Sequence, residues 1–160
     1  MTETIAEEAG GSIGIVDVAT PFDIPRLNEL LTLLFTQETD FTPDAGKQAI
    51  GLGRIIADPG VGHILVLRNR GEIVAMVNLL YTVSTALGER VAILEDMIVH
   101  PDHRGGGAGS RLLRAAIEFA RGEGCRRITL LTDHDNSGAI RFYRNHGFQK
   151  SAMVPLRMML

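Results

Sequence analysis

The chain has 160 residues, enough for one domain with a sizeable hydrophobic core and too few for two. Apolar residues make up 45% and charged residues 22%, an ordinary balance for a soluble globular protein. The net charge of −3 argues against nucleic acid or an anionic membrane as a partner, because both favour a strongly basic surface. The single cysteine, Cys125, excludes an internal disulfide and a cysteine-rich metal site.

The first residues are acidic and lack the basic and apolar stretches of a secretory signal. No apolar run in the sequence reaches the length of a membrane span. We therefore predict a flexible tail at 1–11, one domain at 12–160 and a cytoplasmic location.

The apolar pattern changes its period along the chain, and the changes mark the predicted elements. After one short strand, apolar residues recur at helical spacing, and Thr20-Pro21 gives a helix start signal. From His63 the period is that of strands, with a hairpin turn at 69–71. The predicted elements are strand 13–18, helix 21–37, helix 43–57, strand 63–68, strand 72–83, strand 91–99, helix 108–121, strand 127–132, helix 139–146 and strand 153–160.

The order β-α-α-β-β-β-α-β-α-β predicts a mixed α/β fold. Strand 91–99 carries apolar residues on both faces, which is typical of a central strand covered on both sides. Because a helix separates it from strand 127–132, we expect a right-handed crossover that makes these two strands parallel neighbours.

A cluster of glycines connects strand 91–99 to the next helix, in the sequence Arg104-Gly-Gly-Gly-Ala-Gly-Ser110. Glycines let a backbone turn sharply and approach a phosphate closely, and the start of a helix supplies unpaired N–H groups. The cluster has no lysine, which excludes a P-loop, and a Rossmann fingerprint would need glycine or alanine at Ser110. From the residues alone, Arg104 either contacts a phosphate or braces the turn.

Two blocks of sequence resemble the GCN5-related N-acetyltransferase (GNAT) family. The first is R-x-x-G-x-G/A, met by Arg104, Gly107 and Gly109 after a strand that ends in Val-x-Pro at 99–101. The second is N-x-x-A-x-x-F-Y-x-x-x-G-F, met at 136–148. Both blocks lie on the expected elements, and the family's layout is similar to this chain from about residue 12 to 160.

The resemblance implies a single-domain GNAT fold, with a mixed central sheet flanked by helices and splayed parallel strands that form an acyl-CoA cleft. It implies an acetyl-CoA-dependent N-acetyltransferase that acts directly on a primary amine of a small molecule or polyamine, without a metal. The residues that it assigns to acetyl-CoA are Met97, Ile98, Val99, Arg104, Gly105, Gly106, Gly107, Ala108, Gly109, Ser110 and Asn136.

The resemblance also implies two catalytic residues. Leu94-Glu95-Asp96 resembles a triplet of polyamine and related small-amine acetyltransferases, which implies that Glu95 is the general base and leaves Asp96 a weaker candidate. Strict alternation puts Glu95 on one face with Met97 and Val99, unless a bulge alters that parity. The alternative is a strand-end acid paired with Arg90, Arg104 or another cation. Tyr143 matches the family's general acid, and its alternative is packing against Phe142.

Other residues suggest weaker hypotheses. Histidines and aspartates at 100–103 and 133–135 belong to two loops and lack ligand-like spacing, so we interpret them as solvated. Cys125 is interpreted as a structural thiol, and Met153, Met158 and Met159 as core or interface. The acceptor pocket is expected from the first two helices, the loop 37–41 and the C-terminal strands, with nearby acids that suit a cationic amine.

Three alternatives for function stay open: a protein N-terminal or lysine acetyltransferase, a non-catalytic acyl-CoA-binding module, and an interaction subunit built on the same scaffold. Many relatives in the family are dimers, so the apolar C-terminal segment is also a candidate homodimer interface.

Overall fold

The computed structural model describes residues 14–38 and 40–160, so the predicted tail lies outside the described residues. The chain divides into two compact units, with the boundary between Leu130 and Leu131. No described helix combines the length and the apolar character that crossing a membrane requires.

The first unit holds a five-stranded sheet and three helices. The strands occur in the order β1-β2-β3-β4-β5; the first four are antiparallel to their neighbours, and β4 and β5 are parallel. The predicted mixed sheet, the hairpin and the parallel crossover are therefore confirmed. The elements are β1 (Ile15–Val18), α1 (Ile24–Gln37), α2 (Ala45–Ala57), β2 (Gly62–Asn69), β3 (Glu72–Ser84), β4 (Glu89–Val99), α3 (Ala108–Gly122) and β5 (Ile128–Leu130).

Local signals explain where the first two helices begin. A single 3-10 turn at Pro21–Asp23 precedes α1, and the Asp23 carboxylate accepts a hydrogen bond from the Thr20 N–H group at 2.8 Å. The Asp44 carboxylate caps α2 by accepting from the Lys47 N–H group at 3.0 Å. Helix α2 continues to Ala57 despite Gly51 and Gly53 in its interior, because Leu52 is buried in the core and anchors it.

The helices cover both faces of the sheet. Helices α1 and α2 share a buried cluster with Ile64, Met76 and Ile98, which the strand register places on one face. His63 precedes Ile64 and therefore points to the other face, where its ring lies 4.9 Å from the Phe119 ring of α3. The predicted apolar stripe of α3 is confirmed at Leu112, Ala116 and Ala120, which are all buried.

The second unit, Leu131–Leu160, holds α4 (Ser137–Asn145). The predicted C-terminal strand is wrong, because residues 148–160 form neither helix nor strand. A strand requires a partner ladder, and Pro155 has no N–H group to contribute to one. Met153, Met158 and Met159 are at least 79% exposed, so of their two predicted roles the core is wrong and the interface stays a prediction.

Candidate active site

The connection between β4 and α3 is a tight turn braced by an arginine. After the 3-10 turn at Pro101–His103, the Arg104 Nε atom donates a hydrogen bond to the Val99 carbonyl oxygen at 3.0 Å. Of the two roles open to Arg104, the structure therefore assigns it at least the bracing of the turn. Gly105 and Gly107 adopt φ angles of +83° and +80°, in the left-handed region that favours glycine.

The start of α3 presents unpaired backbone donors beside that turn. The first bond of the helix runs from the Arg111 N–H group to the Gly107 carbonyl oxygen at 3.0 Å, so the N–H groups of residues 108–110 have no acceptor within the helix. A Cβ atom at Gly105, Gly106 or Gly107 would meet no protein atom within 4 Å. The turn is therefore open, and with the positive end of the helix dipole it can receive an anion.

Strand β4 contains a bulge at its two acids. Val77 of β3 pairs with Met97, whereas Leu79 pairs with Leu94, so two residues of β4, Glu95 and Asp96, lie opposite Asn78 alone. The expectation that Glu95 shares a face with Met97 and Val99 is therefore wrong. The extra residue alters the alternation, which is the one exception that the sequence left open.

The bulge places Asp96 against a buried amide. The Asn78 side chain is 2% exposed, and its Nδ2 atom donates a hydrogen bond to Asp96 Oδ2 at 2.7 Å. Burial and the negative charge of Glu95 raise the pKa of Asp96 to about 6, Glu38 adds to the increase, and the hydrogen bond from Asn78 opposes it. A half-buried carboxylate that titrates near neutrality can exchange a proton with a substrate.

Glu95 differs from its neighbour, since its side chain is exposed. The arginines proposed as its ion-pair partners are engaged elsewhere: Arg90 lies 3.5 Å from the Glu123 carboxylate and Arg104 braces the turn. No salt bridge to Glu95 is found within the described residues. Sequence reasoning missed Asn78, although a lone amide inside the apolar run of β3 was a signal of a specific role.

The parallel pairing of β4 with β5 is short. It covers Ala92, Ile93 and Leu94, and it ends where β5 ends at Leu130. Within the described residues, the pairing with β5 does not extend to Ile98 and Val99, while β3 pairs with the opposite edge. An extended ligand can therefore be accommodated alongside this part of β4.

The second unit carries the other predicted site residues. The Asn136 side chain caps α4 by accepting from the Ala139 N–H group at 3.0 Å. Tyr143 packs against the rings of Phe142 and Phe148, with ring centroids 5.2 and 5.6 Å away. Burial raises the pKa of Tyr143, so the phenol keeps its proton at neutral pH.

The remaining candidates have structural explanations. Burial raises the pKa of the Cys125 thiol, which fits a structural residue rather than a reactive one. The His100 ring accepts a hydrogen bond from the Asp102 N–H group at 3.2 Å. The part of the chain that the structure describes contains no cluster of side chains suited to a metal ion.

Comparison with known proteins identifies relatives of this chain. A model of the acetyltransferase (GNAT) family matches residues 25–148. The chain is 34% identical over 121 residues to the uncharacterized N-acetyltransferase YhfO of Bacillus subtilis (strain 168). The aligned region covers 73% of this chain and 80% of that protein. The chain is also 32% identical over 135 residues to the aminoalkylphosphonate N-acetyltransferase of Salmonella typhimurium (strain LT2), which covers 83% of each.

Solved structures share the fold. An aminoglycoside acetyltransferase from an uncultured soil metagenomic sample, in complex with sisomicin, matches with a TM-score of 0.75 over 92% of this chain and 97% of that one. At 16% sequence identity, this likeness concerns the fold alone.

Proposed function

The chain belongs to the acetyltransferase (GNAT) family, and from this premise we propose that it transfers an acetyl group from acetyl-CoA directly to a primary amine of a small molecule or polyamine. Acetyl-CoA is the co-substrate of enzymes in this family. The observation that carries the proposal is the arrangement of one continuous segment, in which a carboxylate-bearing bulge in β4 leads into an open glycine turn at the start of α3.

The proposed cofactor site uses backbone groups. The N–H groups from Gly105 to Ser110 hold the diphosphate, supported by the unpaired donors and by the open space around the glycines. Arg104 keeps the turn in shape. The pantetheine arm lies along β4 at 97–99, beyond the point where the pairing with β5 ends at Leu94.

Asn136 and Tyr143, both in the second unit, are the remaining residues to which we assign a role. The resemblance of their sequence block to the family's supports both assignments, with Asn136 contacting the pantetheine while it caps α4. Tyr143 protonates the departing thiolate, and its raised pKa keeps the phenol protonated before the transfer.

The chemistry requires two proton movements. The acceptor arrives as an ammonium ion and must lose one proton before its lone pair can attack the thioester carbonyl. A carboxylate of the bulge, Glu95 or Asp96, receives that proton. As the C–N bond forms and the C–S bond breaks, the thiolate receives a proton from Tyr143, and the second proton of the nitrogen returns to the Tyr143 phenolate through water.

A small cationic amine is the proposed acceptor. The relative from Salmonella typhimurium is an aminoalkylphosphonate N-acetyltransferase, which supports a small amine of this kind. Glu38 lies close enough to Asp96 to affect its pKa, so at least three acids contribute negative potential where the amine would bind. Asp44, in contrast, is engaged as the cap of α2.

The test is thiol release from acetyl-CoA in the presence of an amine panel of an aminoalkylphosphonate, polyamines, an aminoglycoside and a peptide with a free N-terminus and a lysine. We expect turnover on at least one small amine. Turnover on the peptide alone would favour a protein acetyltransferase. Binding of acetyl-CoA without turnover on any amine would favour a non-catalytic binding module. The cytoplasmic location and the homodimer stay predictions.

A further inference from the structure

We propose that Asp96, rather than Glu95, takes the proton from the acceptor's ammonium group, and that Asn78 is the positioning residue that orients Asp96 for this step. The inference rests on the proposed function and assigns the base within it. Three observations support it: the register of the bulge, the hydrogen bond between the two side chains and the unequal exposure of the two acids.

The bulge gives Asp96 a fixed position. Because two residues of β4 lie opposite Asn78, the Asp96 carboxylate comes within 2.7 Å of the Asn78 amide through Oδ2. No other hydrogen bond to the Asp96 carboxylate is found within the described residues, which leaves Oδ1 available to an ammonium group. Glu95 has an exposed side chain and no comparable anchor, so its carboxylate is not oriented.

A purely structural role does not explain Asn78, because burying its amide lowers the stability of the fold. Its side chain is buried in the middle of an apolar strand, and its Oδ1 atom has no hydrogen-bond partner among the described residues. A leucine would fill such a position without leaving a buried acceptor unsatisfied. The single hydrogen bond to Asp96 is therefore what the amide contributes, which favours a role in the site over a role in stability.

The surroundings of Asp96 adapt it to act as a base. The charged groups that affect it are Glu95 on its own strand and Glu38 at the end of α1, and both disfavour its ionised form. Burial does the same, while Asn78 from β3 favours the ionised form. A carboxylate in this environment accepts a proton near neutrality, where an ordinary aspartate would remain ionised.

The step balances as follows. The ammonium group transfers one proton to Asp96 Oδ1, which leaves a neutral amine and a carboxylic acid. The amine nitrogen attacks the thioester carbon, the C–N bond forms and the C–S bond breaks. The thiolate takes its proton from Tyr143, the second nitrogen proton returns through water to the Tyr143 phenolate, and Asp96 releases its proton to water before the next turnover.

The test compares variants that keep the size of each side chain. In the amine assay, Asp96→Asn should lower kcat by about 100- to 1,000-fold without changing acetyl-CoA affinity. Glu95→Gln should cost less than about tenfold, because it removes a neighbouring charge rather than the base. Glu89→Gln is the matched control, since Glu89 is an exposed acid at the start of the same strand.

The pH profile distinguishes a base from a structural acid. The acid limb of kcat/KM should have its midpoint near the pKa of Asp96, about 6. Glu95→Gln should move that limb to lower pH because it removes a like charge, whereas Asn78→Ala should move it to higher pH because it removes the stabilising hydrogen bond. If Asn78→Ala fails to fold, Glu95→Gln, which changes an exposed side chain, still tests whether the acid limb of kcat/KM moves.

Each outcome has a distinct meaning. An Asp96→Asn enzyme that turns over at the wild-type rate, or a Glu95→Gln enzyme that loses as much activity as Asp96→Asn, would overturn the inference and leave the acetyltransferase proposal intact. An acid limb that neither variant moves would also overturn it. A wild-type protein that acetylates no amine would overturn the proposed function, and the assignment of the base with it.

Discussion

The bulge of β4 and the glycine turn before α3 lie within 15 residues of one another, yet one depends on side chains and the other on backbone conformation. The turn is exposed and depends on backbone geometry, with two positive φ angles and the free donors of a helix start. The bulge depends on side chains from two strands, and one of them, Asn78, is fully buried. The turn suits recognition of an anion, whereas the bulge suits the transfer of a proton.

This difference predicts that the two regions control different quantities. Changes of backbone conformation in the turn should alter the affinity for acetyl-CoA. Changes of side-chain chemistry should alter kcat or the pH dependence while leaving acetyl-CoA affinity intact. Each of the following variants tests one side of this division.

Of the three effects predicted next, the effect of Tyr143→Phe on kcat should be the largest. Removal of the hydroxyl group leaves the packing against Phe142 and Phe148 in place but removes the proposed acid, so we expect kcat to fall by about 100-fold. Calorimetry should give an unchanged dissociation constant for acetyl-CoA. An equal loss of affinity and kcat would mean that the ring acts only by packing, and the division would fail for this residue.

Asp96→Asn should make the protein more stable at high pH. The pKa of Asp96 is raised in the folded state, from 3.8 to about 6, so the fold binds this proton more tightly than the unfolded chain does. Stability that is present below pH 4 is therefore lost as the pH rises towards 6. The variant avoids this loss, so we expect a gain of about 2 kcal/mol in the free energy of unfolding at pH 8.

Denaturant titrations at pH 8 and at pH 4 measure this difference, with Glu89→Gln as the control. The gain should be absent at pH 4, where Asp96 is largely protonated in the fold. A gain of equal size at both pH values would show that the surroundings do not destabilise the ionised Asp96 carboxylate. It would contradict the electrostatic difference between the bulge and the turn.

Gly107→Ala should have the smallest of the three effects and should act on affinity. The left-handed φ of +80° is strained for alanine by about 1–2 kcal/mol, which corresponds to about tenfold in binding if the turn relaxes. Gly88→Ala is the matched control, because it introduces comparable backbone strain at a φ of +67° in the turn between β3 and β4, outside the proposed site. Equal affinities of both variants for acetyl-CoA would contradict a backbone-defined site.

The same contrast explains what the sequence could predict. The glycine turn is local: seven consecutive residues determine the strand end, the turn and the helix start, so its geometry is predictable from spacing. The bulge is not local, since Asn78 and Asp96 are 18 residues apart and meet only through the register of β3 with β4. Alternation along one strand therefore gave Glu95 the wrong face.

The prediction of a C-terminal strand was wrong for a related reason. Its apolar residues fit a strand, but a strand forms only with a partner, and composition does not reveal whether one exists. Strand β5 is similarly shorter than predicted, at Ile128–Leu130 instead of 127–132, because its pairing with β4 covers three positions. Helices were predicted more closely, since their period and caps lie within the element itself.

The most direct test of the central claim is a pair of calorimetric titrations with acetyl-CoA and with acetyl-pantetheine, which carries the thioester but lacks the diphosphate. If the backbone of residues 105–110 holds the diphosphate, acetyl-CoA should bind with one-to-one stoichiometry and at least about 100-fold more tightly than acetyl-pantetheine, as expected for several charge-assisted hydrogen bonds. Equal affinities for the two compounds, or no binding of acetyl-CoA, would contradict the assignment of the glycine turn.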